Sequence, residues 1–175
     1  MDRYHDISAL GECLIDVIVE ADEKSGSLIM NGNPGGAPLN VLAAASRLGV
    51  SAAFISKLSR DSFGTFLLNT IKASNISADG IVITDKYPTT IAVVTLDQQG
   101  DRSFSFYRNQ TSDIMLQSSE IDFDIIKSSR IFHFGSVSMT AEPSRSATLA
   151  AAKYAKGHSK IVSYDPNLRE RLWGN

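Results

Sequence analysis

The chain has a single cysteine, Cys13, in 175 residues, so it cannot close a disulfide within itself. That scarcity fits a reducing compartment, and a cytoplasmic protein is the expectation. Only three histidines occur (His5, His133 and His158), far apart and without HExxH or Cys/His spacing. No dedicated transition-metal site is therefore expected. Charge of one sign is also lacking: 17 basic residues stand against 19 acidic ones, a net −2. Nucleic acid and anionic membranes select basic surfaces, so neither is an expected partner. No apolar run is long enough to span a bilayer, and the start, MDRYHDISAL, lacks a signal-peptide core. Repeats and low-complexity segments are missing too. What remains is 43% hydrophobic and of a length that suits one domain.

The elements that are present alternate in type. ISAL (7–10) and LIDVIVE (14–20) read as strands around Gly11. Pro38 to Leu48 reads as a helix, with proline in the first turn and Gly49 at its end. AAFISKL (52–58) is another strand. Asp61 offers an N-cap to a helix whose Phe63, Phe66, Leu67 and Ile71 fall at helical spacing. IVIT (81–84) follows, and 89–108 reads as a hairpin turning at Gln98-Gln99-Gly100-Asp101. Alternation in its second arm puts Phe104, Phe106 and Arg108 on one face. EIDFDIIKS is a short helix, RIFHFG (130–135) a buried strand, and 144–157 a helix capped by Ser144 and ended by Gly157. KIVSYD (160–165) is a last strand. Strands alternating with helices predict an α/β fold around a parallel sheet, with the hairpin as an antiparallel insertion. An apolar strand so close to Asn175 calls for another crossover. The chain is therefore expected to be the N-terminal part of a longer protein.

Three groups of residues offer chemistry. In NGNPGGAPLN, Gly35 and Gly36 precede the first helix and permit close backbone approach. No lysine follows them as in GxxxxGK[ST], and GxGxxG is absent, so a triphosphate cradle and a dinucleotide fingerprint both fail. Asn40, which both donates and accepts, suits a hydroxyl and favours a polyol over a phosphate. A plain glycine turn with Asn40 in solvent is the alternative. Asp16 interrupts an apolar strand and needs water or a partner. It could take two sugar hydroxyls, although a strand-edge charge facing water is the simpler reading of that residue alone. Asp165, Asn167 and Arg169 follow a predicted parallel strand at the end where α/β sheets bind ligands. Arg169 could fork onto hydroxyls or a carboxylate, and Arg108 could reach inwards from the hairpin. Asp-Pro-Asn is also a good turn former by itself. His133 reads as a satisfied core histidine, Cys13 as a small buried residue and Trp173 as packing.

Together, GECLID, PGGAPLNV, ASRLG, ISKLSRDSFG, TTIAVVTLD with GDRSFSFYR, FHFGSVSM and SYDPNLRERLW resemble the ribokinase-like (PfkB) carbohydrate kinases, most closely their fructokinase branch. The resemblance runs from about residue 7 to Trp173. It implies a ribokinase-like fold: a central, mostly parallel sheet flanked by helices, with a small antiparallel β lid. The whole of 1–175 would be the N-terminal portion of one kinase domain, with lid segments at about 14–20 and 89–108. Asp16, Gly35, Gly36 and Asn40 match the family's sugar-binding positions. Arg108 and Arg169 match arginines facing the substrate, and Asp165 and Asn167 would line the same cleft. The implied reaction is ATP- and Mg²⁺-dependent phosphorylation of a hydroxymethyl group of a ketohexose, fructose first. A homodimer through the lid is a further implication. The family's GAGD segment, which carries the catalytic base, does not occur in these residues. Gly100-Asp101 sits in a predicted hairpin turn and cannot replace it. No catalytic or metal-binding residue is thus assigned within this chain, and by itself it is expected to be inactive. The alternatives are a kinase for 2-keto-3-deoxygluconate or another sugar, and a non-catalytic sugar-binding or dimerisation module.

Overall fold

The apolar runs assemble around one central strand. A computed structural model describes residues 4–22, 24–96 and 102–173. In chain order the elements are β1 (His5–Leu10), β2 (Leu14–Asp22), β3 (Ser27–Gly35), α1 (Ala37–Arg47), β4 (Ala52–Ser59), α2 (Ser62–Ala73) and β5 (Ile76–Thr84). Then come β6 (Ile91–Leu96), β7 (Arg102–Tyr107), α3 (Phe123–Lys127), β8 (Ser129–Gly135), α4 (Ser144–Gly157) and β9 (Ile161–Asp165). Five strands form the larger sheet in the order β5-β4-β1-β8-β9, every neighbouring pair parallel. This is the α/β architecture the resemblance implied.

Burial explains why the runs are continuous rather than alternating. All eight residues of β4 are buried, because helices cover both faces. Phe54 points into a cluster with Leu39, Leu42, Leu67 and Ile71 from α1 and α2. Its neighbours Ala53 and Ile55 point the other way, towards Ile125, Ile126, Ala147 and Ala151 from α3 and α4. Asp61 caps α2 as expected: its carboxylate accepts from the Gly64 amide at 2.7 Å. The same carboxylate accepts from the Thr89 amide at 2.9 Å and the Thr89 hydroxyl at 2.7 Å, tying α2 to the chain entering β6.

One expectation is sharpened and another corrected. Phe63 and Phe66 keep the helical period yet are about half exposed, since α2 turns Leu67 and Ile71 to the sheet instead. Ser144 does not cap α4; it is already helical, and its hydroxyl donates to the carbonyls of Ser138 (2.7 Å) and Ala141 (3.0 Å). Gly157 is the last residue of α4, as expected. The predicted turn at 98–101 and the side chain of Phe104 lie outside the described residues.

The smaller sheet has four strands in the order β3-β2-β6-β7. β3 has no counterpart in the sequence reading. It pairs antiparallel with β2, β6 pairs antiparallel with β7, and β2 and β6 join in parallel, so the lid sheet is mixed. Its strands are inserted after the C-terminal ends of β1 and β5, which hangs the sheet over that edge of the core. The strand order also reverses there. From β1 the chain builds outwards to β4 and β5, whereas β8 and β9 lie on the other side. A crevice opens beyond the carboxyl ends of β1 and β8, as at other such reversals.

Candidate sugar-binding site

Two short loops meet in that crevice. One is Gly11-Glu12-Cys13, between β1 and β2; the other is Gly36, between β3 and α1. Gly36 has φ +120°, a conformation that side chains disfavour, and a Cβ there would strike the Glu12 carbonyl oxygen. Gly35 sits opposite Leu14 in the β2–β3 ladder, and a Cβ on it would run into the Asp16 carboxylate. Both glycines are thus required by close neighbours within the protein itself. Pro38 occupies the first turn of α1, where no intrahelical N–H is needed. Asn40 closes that turn, its amide donating to the Gly36 carbonyl at 3.0 Å.

The cavity between the lid and the core edge has a volume of about 430 Å³. Its apolar walls come from Leu14 and Ile18 on β2, Val94 on β6, Phe106 on β7 and Val137 beyond β8. Its polar lining is Glu12, Asp16, Asn33, Asn40, Asn167 and Arg169, with Gly36 and Ala37 between them. Apolar patches beside convergent donors and acceptors suit a small polyhydroxylated ligand, whose C–H faces and hydroxyls alternate. Burial pushes the Asp16 carboxyl above the usual range, and the charge of Arg169 opposes that rise. The pair would therefore present an acceptor and a donor across one space.

The other expected site residues lie elsewhere. Gly35 is under Asp16 and outside the lining. Asp165 is exposed, and its carboxylate accepts from the Asn167 amide at 3.1 Å, shaping the turn that carries Asn167 and Arg169 to the cavity. Arg108 does not reach inwards. Its Nε donates to Asp113 Oδ2 at 2.9 Å and its Nη1 to Thr140 Oγ1 at 2.7 Å, with both charged side chains almost wholly buried. Asp113 Oδ1 also accepts from the hydroxyls of Thr90 and Thr111, which locks both roots of the β6–β7 hairpin to the core. His133 is buried, with Nδ1 3.0 Å from the Ser163 hydroxyl.

Sequence reasoning missed Glu12, Asn33 and Asp113. Glu12 is 3% exposed, and its Oε1 accepts from the Ala37 amide at 2.9 Å. Burial pushes its carboxyl up to about 7; bonds from its own and the Ala37 amide, and the charge of Arg108, oppose this, while Asp113 adds to it. A carboxylate between Gly11 and buried Cys13 was the one available signal.

The pfkB carbohydrate kinase family matches this chain over residues 5–175. The chain belongs to that family. Among pfkB-family relatives, it is 45% identical over 169 residues to the Arabidopsis thaliana protein named "Probable fructokinase-6, chloroplastic", covering 95% of this chain and 44% of that one. It is 42% identical over 171 residues to fructokinase-2 of Zea mays, covering 95% and 50% respectively. The chain spans about half the length of the curated relatives it matches. The crystal structure of a fructokinase from Xylella fastidiosa superimposes with a TM-score of 0.92 at 35% identity, covering 98% of this chain and 53% of that one. A fructokinase from the same organism, solved with bound ATP, superimposes at 0.89 and 34% identity, covering 98% and 52%. These neighbours establish the ribokinase-like fold. Among the described residues, no helix is long and apolar enough to cross a membrane.

Proposed function

We propose that this chain forms the sugar-binding side of an ATP-dependent kinase that phosphorylates a hydroxymethyl group of a ketohexose, with fructose as the first substrate to test. One observation carries the reading: Asp16, Asn40 and Arg169, far apart in sequence, converge on a single cavity beneath a β lid. Asp16 would accept hydrogen bonds from adjacent sugar hydroxyls, and Asn40 would both give and take one. Arg169 would donate from the opposite wall. Leu14, Ile18 and Phe106 would keep water from the bound sugar, which limits wasteful hydrolysis of ATP. ATP supplies the phosphoryl group, and the ATP-bound fructokinase neighbour supports its use. The handling of ATP and Mg²⁺ is what the family resemblance implies for its GAGD segment.

The pairing of Arg108 with Asp113 supports a neutral sugar. A carboxylate-bearing sugar such as 2-keto-3-deoxygluconate would be best served by two arginines, and among the described residues Arg169 alone of the arginines lines the cavity. Cytoplasmic location belongs to the same proposal and is supported by the lone cysteine, buried and unbridged. So does a homodimer through the lid, supported by exposed Leu28, Ile29 and Met30 on its edge strand β3; sedimentation equilibrium of Met30→Lys checks it, with a shift towards monomer expected.

The test is calorimetric titration of the chain with fructose and with 2-keto-3-deoxygluconate, alongside fructose-dependent ADP release. Saturable fructose binding, lowered by roughly tenfold to a hundredfold in Asp16→Ala, is the expected result, since a charged hydrogen bond contributes about 1.5–3 kcal/mol. Absence of binding to any ketose or aldose would overturn the reading. Binding with no turnover in any context would leave the non-catalytic module as the correct one.

A further inference from the structure

Glu12 touches the start of α1 twice. Its carbonyl oxygen lies too close to Gly36 to leave room for a Cβ there, and its Oε1 takes the Ala37 amide at 2.9 Å. The Gly36 carbonyl in turn receives the Asn40 amide, so the first helical turn is referred to Glu12. The second carboxyl oxygen, Oε2, is buried without a hydrogen-bond partner among the described residues. Glu12 lines the sugar cavity, yet the hydrogen bonds assigned there to Asp16, Asn40 and Arg169 leave it without a partner hydroxyl.

We propose that Glu12 is a positioning residue of the cavity: it holds the first turn of α1 where Asn40 meets a sugar hydroxyl, and it takes up one proton on Oε2 as the cavity fills. This inference rests on the sugar-site reading above. The physical reason is desolvation. A carboxylate with one uncompensated oxygen is tolerated only while nearby water screens it. A ligand that displaces water from the cavity deepens the burial and favours the neutral acid. The proton comes from the buffer to Oε2, and no other bond changes. Of the charges around Glu12, Asp113 favours protonation and Arg108 opposes it, both from the segment after β7. Cys13, on the same loop, is itself pushed up by burial and stays a neutral thiol. Asp16 and Arg169 stand across the cavity, and the first turn of α1 carries no acidic side chain. In the empty protein burial holds Glu12 near pH 7, where a further push is measurable.

The decisive experiment is titration with fructose by calorimetry from pH 6 to 8, in pairs of buffers of different ionisation enthalpy. Wild type is expected to take up part of a proton near pH 7, and its affinity to fall with rising pH by at most about tenfold per unit. Glu12→Gln keeps the Ala37 bond and mimics the neutral acid; it is expected to rescue affinity to within about threefold and to abolish proton uptake. Glu12→Ala frees the helix start and is expected to cost about tenfold or more in affinity. A ligand-free readout accompanies these: the Ala37 amide resonance should titrate near pH 7 in wild type and stay flat in Glu12→Gln. Should Glu12→Ala not fold, Glu12→Gln and the Ala37 resonance decide. Wild-type affinity in Glu12→Ala, unchanged proton uptake in Glu12→Gln, or an Ala37 amide that does not titrate overturns the inference alone. No fructose binding by wild type overturns the sugar reading and this inference with it.

Discussion

The two sheets are held in opposite ways. In the larger one, β4 is buried along its whole length, and both its faces are packed by helices. In the lid, β3 is exposed at seven of its nine positions, and apolar side chains such as Leu28 and Met30 face solvent. β2 places Ile15 and Val17 in the core cluster, with Val19 packed against it. The β6–β7 hairpin is fastened at its roots by polar bonds, Thr89 to Asp61 and Thr90 and Arg108 to Asp113. Burial of apolar area makes the scaffold rigid, whereas a directional polar clasp can hold a covering sheet without gluing it shut over the cavity.

That contrast can be broken from either side. The largest effect is expected in the core. Phe54→Ala should lose about 3–5 kcal/mol in urea unfolding and leave the sugar affinity of the folded protein unchanged. Phe106→Ala, on the lid, should do the reverse, weakening sugar binding with under about 1 kcal/mol of stability lost. A core cost at Phe106 equal to that at Phe54 would mean the two sheets share one packing regime. Close behind comes Asp113→Ala, which leaves Arg108 buried and poorly paired. It should cost about 3 kcal/mol or more, with hydrogen exchange rising at both roots of the hairpin. Exchange confined to one root would show that the clasp is not a unit.

The smallest of the three sharpens the boundary between core and lid, where Glu12 sits. Its carboxyl titrates near 7 when folded against 4.5 as a free group, so the folded state binds the proton more tightly. The linked stability is fully present below pH 4.5, is lost as pH rises towards 7, and stays lost above it. The amount is on the order of 3 kcal/mol at most. Asp61 acts with the opposite sign, since its amide and hydroxyl bonds hold its carboxyl down despite burial; its contribution is lost as pH falls. The difference between wild type and Glu12→Gln isolates the first effect. Unfolding measured at pH 5 and pH 8 should show wild type losing ground to Glu12→Gln at the higher pH, and parallel curves would refute it.

The order of the core elements was legible because their signals are local. Asp61 stands three residues before Gly64, and the Ala-rich stretch from Ala37 closes on Gly49, as helix ends require. β3 was illegible for an equally physical reason. SLIMNGNPG is an edge strand wet on both faces, so burial imposes no period of two on it, and among the described residues it pairs with β2 alone. Helical spacing grouped Phe63 and Phe66 with Leu67 and Ile71, but periodicity gives a stripe and not which part of it meets the sheet. Alternation placed Phe106 and Arg108 together, yet Phe106 lines the cavity while Arg108 turns to Asp113, only five residues further on. Glu12 lies within GECLID, but no spacing gives it a role; its bond from the Ala37 amide, 25 residues away, forms only in the folded chain.

By itself the amino-acid sequence determined the alternation of strands and helices, the Asp61 cap of α2, and the motif order that the pfkB family shares, because each depends on neighbours within a few residues. Tertiary structure alone decided that Asp16, Asn40 and Arg169 face one space while Arg108 is withdrawn into the core, and that Glu12 braces α1. Those outcomes depend on which groups lose their water together, and that is set only when distant segments pack.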